Sequence, residues 1–144
     1  GNKNAAMIEV HRHQPALYAE LKAALVMPSL YDEALRLASR RGFDLPPEVL
    51  ERDYSTPYVP HPAVSEMWLT VYRDTKQWWE LYQLAEKLVD LEDWFQQWRF
   101  RHMKTVERVI GFKRGTGGSS GVSYLQKALN LRFFPELWTI RTDI

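Results

Sequence analysis

Apolar residues recur every three or four positions along most of the chain, which is the spacing of one helix face. No stretch has the sustained alternation of apolar and polar residues that is typical of a strand. Residues 15–41 predict two helices, because Pro15 can open the first and Pro28 breaks it. Ser29 then caps the second helix, and Gly42 ends it. The pattern predicts an all-α fold.

The longest helical signal lies in the second half of the chain. Residues 65–110 contain neither proline nor glycine, and one helix of that length would be roughly 70 Å long. We therefore expect a kink or a break at 74–77. Gly111 closes the helix, a glycine-rich loop follows at 115–121, and a further helix is predicted at about 122–130.

Two other segments complete the organisation of the chain. Prolines punctuate residues 44–62, which we interpret as a surface crossing with a short helix at 47–51. The tail 133–138 is too apolar to remain in water and should pack on something. Because no Gly/Ser-rich linker interrupts the chain, we expect one helical domain over residues 1–144.

The composition excludes several kinds of site. The 144 residues carry 19 Lys and Arg against 18 Asp and Glu, so the net charge of +1 disfavours nucleic acid as a partner. The chain has no cysteine, which excludes disulfides, thiolate zinc sites, iron–sulfur clusters and thiolate-ligated haem. No apolar run is long enough for a membrane span and no signal-peptide pattern occurs, which favours the cytoplasm.

One histidine lies within an apolar stripe of the long helical signal. The stripe follows steps of three and four residues and consists of Leu88, Leu91, Phe95, Trp98, His102, Val106 and Val109. His102 is therefore open to two interpretations. It could be a core histidine that is hydrogen-bonded to a neighbour, or an axial metal or haem ligand on the inner face of a helix with apolar walls around it.

The other three histidines give weaker signals. His11 and His13 flank Arg12 in a polar stretch with no third ligand nearby, so we interpret them as solvated surface residues. His61 lies between two prolines in a loop and receives the same interpretation. The basic residues near the stripe and loop form mostly a solvated helix face, and spacing cannot select the one or two that could pair with an anionic group. They are Arg99, Arg101, Lys104, Arg108, Lys113 and Arg114.

The glycine-rich loop matches neither nucleotide-binding motif. It lacks the Gly-Lys-Ser/Thr of a phosphate loop and the third glycine of the dinucleotide fingerprint, and it follows a helix rather than a strand. Its exposed amides could bind a carboxylate, and its hydroxyls and carbonyls could accept from an ammonium group. A flexible turn is the alternative.

The residues at 98–121 (WRFRHMKTVERVIGFKRGTGGSSG) resemble the signature of the tryptophan 2,3-dioxygenases. The resemblance continues in the tail, with Tyr124-Leu125, FFPELW at 133–138 and Arg141-Thr142. Upstream it includes GNKN at 1–4, PSLY at 28–31 and LVD at 88–90. It thus covers the whole chain and is densest from 88 to 142. The related indoleamine dioxygenases share only the shorter Gly-Thr-Gly-Gly core.

The resemblance implies a helical homotetramer in which long antiparallel helices form a pocket for haem b. It implies insertion of both atoms of O₂ into the indole C2–C3 bond of L-tryptophan, which gives N-formyl-L-kynurenine in the first step of tryptophan catabolism. His102 matches the family's proximal haem ligand. Thr116 matches the loop threonine that contacts the α-ammonium group of the substrate.

The chain departs from the family pattern at its beginning. In this family GNKN lies well inside the protein, and the preceding half supplies the distal histidine, the arginine that holds the substrate carboxylate, and a tyrosine and a phenylalanine around the indole. None of those motifs occurs here, so we assign no catalytic residue. We expect the N-terminal segment to be a separate chain or missing residues, beside an aromatic face of Trp68, Trp78, Trp79, Phe95 and Trp98.

Two alternatives to this function remain open from the sequence. The first is another haem protein of the same superfamily with different indole chemistry, which activity on tryptophan against other indoles would distinguish. The second is a non-enzymatic helical interaction module, which would give no Soret absorption after reconstitution with haem.

Overall fold

The computed structural model describes residues 5–113 and 121–144. Within those ranges the secondary structure is helical and contains no strand, so the predicted all-α class is confirmed. The helices are α1 (Ala5–Glu9), α2 (Pro15–Leu25), α3 (Leu30–Arg40), α4 (Pro47–Leu50), α5 (Pro62–Arg73), α6 (Trp79–Ile110), α7 (Val122–Ala128) and α8 (Pro135–Thr139), followed by a 3-10 helix (Ile140–Thr142). In the described ranges no helix combines the length and apolar character that crossing a membrane requires.

The chain divides into two compact units, which are described separately. Unit 1 comprises the chain up to Ala85 together with Pro135–Ile144, and unit 2 comprises Glu86–Phe134. Helix α6 begins in unit 1 and continues in unit 2. The expected single domain over residues 1–144 stays a prediction.

The helix boundaries in unit 1 follow local sequence signals. Pro15 is the first residue of α2, as predicted. At the start of α3 the Ser29 hydroxyl accepts from the Asp32 amide, and the Asp32 carboxylate accepts from the Ser29 amide at 2.7 Å, which forms a reciprocal capping box. Gly42 follows α3 with a φ of 115°, a left-handed value that favours glycine.

The core of unit 1 is built around α5, which packs against α8 and the 3-10 helix. Trp68 on α5 is completely buried, and Leu137 and Ile140 from the C-terminal segment are buried as well. The prediction that the apolar tail packs is therefore confirmed. The sequence interpretation of Trp68 was wrong, because its indole belongs to this core and not to an exposed aromatic face.

A buried carboxylate joins four segments of unit 1. Glu136 on α8 is 1% exposed and accepts from the Tyr31 hydroxyl at 2.9 Å, the Tyr58 hydroxyl at 2.6 Å and the His61 amide at 2.9 Å. The Trp68 indole nitrogen donates in turn to the Tyr31 hydroxyl at 2.9 Å. Burial, and then the negative charge of Glu136, raise the pKa of Tyr31 well above its ordinary value.

An ion pair anchors the proline-rich crossing to α3. The Arg52 guanidinium donates to both carboxylate oxygens of Asp32, at 2.7 and 2.8 Å, and to the Thr56 carbonyl at 2.9 Å. Burial alone would raise the pKa of Asp32, but the hydrogen bonds from Arg52 and Ser29 outweigh it and hold that pKa below its ordinary value. The predicted short helix is confirmed as α4 within the same crossing.

The predicted break in the long helical signal is confirmed. Helix α5 ends at Arg73 and α6 begins at Trp79. Between them the Asp74 carboxylate accepts from the Gln77 amide at 3.1 Å, a local turn contact that competes with helix continuation. The 32 residues of α6 then span about 48 Å.

In unit 2, α6 ends where the sequence predicts. Gly111 follows Ile110 with a φ of 60°, which satisfies the left-handed geometry of a helix end. After the loop, α7 begins at Val122, which is completely buried. The chain then returns through residues 129–134, and Phe134 at the end of this segment is buried.

Candidate functional site

One face of α6 in unit 2 exposes an unusual amount of aromatic surface. Trp94 and Trp98 are each more than half exposed, and Phe95 is 43% exposed. Phe100 is 51% exposed but lies on a different face, because it is only two positions after Trp98. His102 lies on the same part of the helix and is exposed too. Large apolar side chains concentrated in this way mark a binding surface more often than ordinary solvent-exposed residues do.

An adjacent face of α6 is buried. Leu88, Glu92 and Met103 are buried there, at steps of four and eleven residues that keep them on one helix face. Of the seven stripe positions only Leu88 is buried, so the interpretation of the stripe as an inner face was wrong for this chain. On the buried face the Glu92 carboxylate accepts from the amides of Phe133 and Phe134 in the return segment.

His102 is exposed in this chain. A core histidine would be buried against a hydrogen-bonding neighbour, and His102 is not buried. Its imidazole is instead stacked on the Trp98 indole, with ring centroids 5.0 Å apart and an interplanar angle of 3°. The four-residue spacing on one helix face brings the two rings together. Trp98 thus restrains the plane of the imidazole while leaving it accessible.

The aromatic residues beside His102 enclose a shallow hollow. Trp94, Phe95 and Trp98 line an open space of about 240 Å³. Its walls are almost entirely apolar, and an imidazole such as the neighbouring one is a nitrogen ligand that suits iron. These residues fit one axial ligand with apolar walls for a flat porphyrin. Among the described residues no three His, Asp or Glu side chains lie together as a metal cluster.

The structure distinguishes the remaining histidines. His13 is exposed and His11 is half-buried. The interpretation of His61 as a solvated loop residue was incomplete, because its Nδ1 accepts from the Ala63 amide at 3.1 Å and caps α5. The signal that could have found this role is Pro62, since proline favours the first helical position directly after the cap.

The loop predicted to bind substrate lies partly outside the described residues. Thr116 and the basic residue Arg114 fall in the undescribed range 114–120. The described ends of the loop are Lys113, which is exposed, and Gly121, which has a φ of 62° and precedes α7.

Two of the basic residues near the stripe have partners on the protein. Arg99 donates to the Leu131 carbonyl at 2.9 Å, and Lys104 forms an ion pair with Glu107 at 3.1 Å. Arg101 and Arg108 are exposed on α6, as the sequence predicts for a solvated face.

Sequence reasoning missed the polar residues on the buried side of α6. Glu92 is completely buried and accepts from the backbone amides of Phe133 and Phe134. A glutamate in a helix is usually solvated, so no signal in its own neighbourhood identifies it. Its partners lie some forty residues away in the chain.

The fold and this face together define an all-helical protein whose accessible imidazole is set in an aromatic surface. The family model for tryptophan 2,3-dioxygenase matches residues 63–144. The chain belongs to the tryptophan 2,3-dioxygenase family.

Curated relatives match the chain along its whole length. It is 62% identical over 144 residues to a tryptophan 2,3-dioxygenase of Polaromonas naphthalenivorans, with all of this chain and 51% of the relative covered. It is 61% identical to tryptophan 2,3-dioxygenase 1 of Ralstonia nicotianae, again over the whole chain and 49% of the relative. The corresponding identity to the Bordetella pertussis relative is 56%, with 51% of that protein covered. The chain therefore spans about half the length of the curated relatives it matches.

Proposed function

We propose that this chain is the haem-ligating part of a tryptophan 2,3-dioxygenase. The complete protein inserts both oxygen atoms of O₂ across the indole C2–C3 bond of L-tryptophan and yields N-formyl-L-kynurenine, the first step of tryptophan catabolism. The observation that carries the proposal is the accessible His102 imidazole on an aromatic helix face, in a chain that belongs to this family. Homotetramer formation and a cytoplasmic location belong to the same proposal.

In this proposal His102 would hold the iron of haem b through Nε2. Haem b supplies, when bound in its ferrous form, the redox chemistry that activates O₂. The stack on Trp98 holds the imidazole plane, so less rotational freedom is lost when the nitrogen binds iron. Trp94 and Phe95 extend the apolar wall and keep water away from the flat ligand.

Thr116 contacts the α-ammonium group of tryptophan in this proposal. The loop offers hydroxyl and carbonyl acceptors but no side chain that ligates iron. We assign no catalytic residue to this chain. Groups that would hold the substrate carboxylate and enclose the indole belong to the part of the relatives' length that the chain does not span. That part would cover the exposed aromatic face.

The test is an absorption spectrum of the full-length protein with and without dithionite, followed by an assay of N-formylkynurenine formation. We expect a ferrous Soret band in the wild type. His102→Ala should disturb that band and nearly abolish turnover, because the proximal ligand is lost. His13→Ala, at an exposed histidine, is the matched control and should resemble the wild type. A normal ferrous spectrum with normal activity in His102→Ala would contradict the proposal.

Thr116→Val tests the substrate role separately. The variant keeps the size of the side chain but removes the hydroxyl, so tryptophan affinity should fall by about 1.5–3 kcal/mol, or roughly one to two decades. The haem spectrum without substrate should stay normal. Ser123→Ala, at an exposed residue of α7, is the control. Wild-type kinetics in Thr116→Val would refute this role.

A further inference from the structure

Side chains of α6 hold the main chain of residues 129–134 in unit 2. The three that do so are Glu92, Gln96 and Arg99, at steps of four and three residues on one helix face. We call them the α6 clamp. The clamp binds backbone amides and carbonyls, and hydrogen bonds to the main chain fix a segment in one register whatever its side chains are.

Glu92 is the buried member of the clamp. Its carboxylate accepts from the Phe133 amide and, at 3.1 Å, from the Phe134 amide, and the residue has no solvent exposure. A buried carboxylate is unfavourable unless it is hydrogen-bonded, and bonds from amides to a charged acceptor are stronger than neutral ones. For packing alone, an apolar residue at this position would serve better. The placement therefore points to a requirement for the two amides to be held.

Gln96 and Arg99 hold the beginning of the same segment. The Gln96 side-chain amide donates to the Leu129 carbonyl at 2.7 Å, and Arg99 donates to the Leu131 carbonyl at 2.9 Å. The Gln96 oxygen accepts from Arg99 at 3.1 Å, and the Arg99 guanidinium lies 4.5 Å from the centre of the Phe133 ring. The contacts of Gln96 and Arg99 are therefore connected with each other, and Arg99 also reaches Phe133, whose amide Glu92 binds.

The clamp is close in the chain to both parts of the proposed site, which are the glycine-rich loop and His102. Leu129 directly follows α7, whose seven residues begin after Gly121, so the clamp fixes the C-terminal end of α7 relative to α6. A seven-residue helix is about 10 Å long and stiff, and its other end carries the C-terminal boundary of the glycine-rich loop. His102 lies three residues beyond Arg99 on α6.

We infer that Glu92 is a positioning residue for substrate binding, because it ties the segment behind the glycine-rich loop to the helix that carries His102. This inference rests on the proposed function. Glu92 does not touch substrate or cofactor in it, and acts only through residues 121–134.

The test uses the full-length, haem-loaded protein with Glu92→Gln, which keeps the side-chain size and one acceptor oxygen. We expect faster hydrogen exchange at the Phe133 and Phe134 amides and a rise of about tenfold in KM for L-tryptophan. Because the variant leaves His102 and its stack on Trp98 in place, kcat should stay within about twofold and the substrate-free ferrous spectrum should be normal. Asp93→Asn is the matched control, since Asp93 is exposed and its carboxylate accepts from the neighbouring Gln97 side chain.

A second variant covers the case in which Glu92→Gln does not fold. Gln96→Met removes the donor to the Leu129 carbonyl but retains the length of a half-buried side chain, and it should raise KM in the same direction by less. An unchanged KM in a folded variant with faster exchange at 133–134 would make the clamp purely structural and overturn the inference alone. A wild-type protein without a haem spectrum or tryptophan turnover would overturn the proposed function, and the positioning role would fall with it.

Discussion

Trp68 in unit 1 and Trp98 in unit 2 show how differently the two units use the same side chain. Trp68 is completely buried, and its indole nitrogen donates to the Tyr31 hydroxyl, so both its apolar body and its polar tip are satisfied within the unit. Trp98 is 60% exposed and stacks on a histidine that is itself exposed. Unit 1 therefore completes its own core around tryptophan, whereas unit 2 presents tryptophan as a surface to be covered.

The two buried glutamates extend this comparison. Glu136 in unit 1 accepts from two tyrosine hydroxyls and one amide, and it joins segments that form a closed core. Glu92 in unit 2 accepts from two amides of one returning segment. Both carboxylates join residues distant in sequence. Only the second lies on a helix with an exposed aromatic face beside it, which is why we associate it with ligand binding.

The largest expected effect comes from removing the buried indole. Trp68→Ala should destabilise the protein by about 3–5 kcal/mol, because it empties a fully buried site and removes the donor to Tyr31. Trp98→Ala in the same 144-residue chain should change stability by less than about 0.5 kcal/mol, as expected of an exposed residue. Urea unfolding followed by circular dichroism measures both variants. Equal losses would show that the contrast between the two tryptophans does not hold.

The stability of the same two tryptophan variants can also be compared in the full-length protein. If the remaining part of the family protein covers the aromatic face of α6, Trp98→Ala should destabilise that protein by more than it destabilises the 144-residue chain. The loss in Trp68→Ala should be similar in both, because its surroundings are complete within unit 1.

A smaller effect is expected at the buried carboxylate of unit 1. Glu136→Gln places an amide group among three donors, so one of them loses its acceptor. A buried donor left unsatisfied lowers stability by about 1–3 kcal/mol. Glu33→Gln, at an exposed glutamate on α3, is a suitable control. Denaturant midpoints at pH 7 compare the two variants, and a neutral Glu136→Gln would indicate that the cluster tolerates an amide.

The smallest of these effects is expected at Tyr58. Tyr58→Phe removes one hydrogen bond to Glu136 and should destabilise by about 1 kcal/mol at neutral pH. Its consequence at alkaline pH is more specific. Burial first, then the charges of Glu136 and Asp32, raise the pKa of Tyr58 above its ordinary value of 10.0, and Arg52 opposes this only in part.

The raised pKa of Tyr58 determines how the stability of the protein changes at alkaline pH. Above pH 10 the unfolded chain releases the Tyr58 proton while the folded chain retains it, so stability is full below pH 10 and falls as pH rises. Tyr58→Phe should make this fall shallower. Unfolding by urea between pH 8 and 11 measures the slope, with Tyr124→Phe on exposed α7 as the control. An unchanged slope in Tyr58→Phe would contradict the role of this tyrosine.

The parts of the fold that the sequence predicted correctly depend on short-range contacts. Ser29 caps α3 through a residue three positions away, and Gly42 and Gly111 end helices through their own backbone geometry. The break before α6 likewise depends on Asp74 and a residue three positions on. Each signal involves only neighbours in the chain, so it can be identified from the sequence without a tertiary structure.

For the candidate site, the sequence predicted which residue could bind a metal or haem but not how that residue is placed. His102 could be selected because it is the one histidine within an apolar stripe, and the resemblance to the family gave it a role. Its exposure and its stack on Trp98 could not be predicted. A periodic stripe shows that a helix has an apolar side, but not whether this chain or another segment covers that side.

The sequence by itself determined the helical class, the helix ends and the family, since periodicity, caps and motifs are local properties of the chain. Only the tertiary structure decided which side of α6 is buried. Glu92 could be placed inside, and Trp98 and His102 outside, because the amides of residues 133 and 134 satisfy that carboxylate from about forty positions away. Glu136 depends on Tyr31, Tyr58 and His61 in the same way. The burial of a charged group is decided by the donors that surround it, and those donors are neighbours only after the chain has folded.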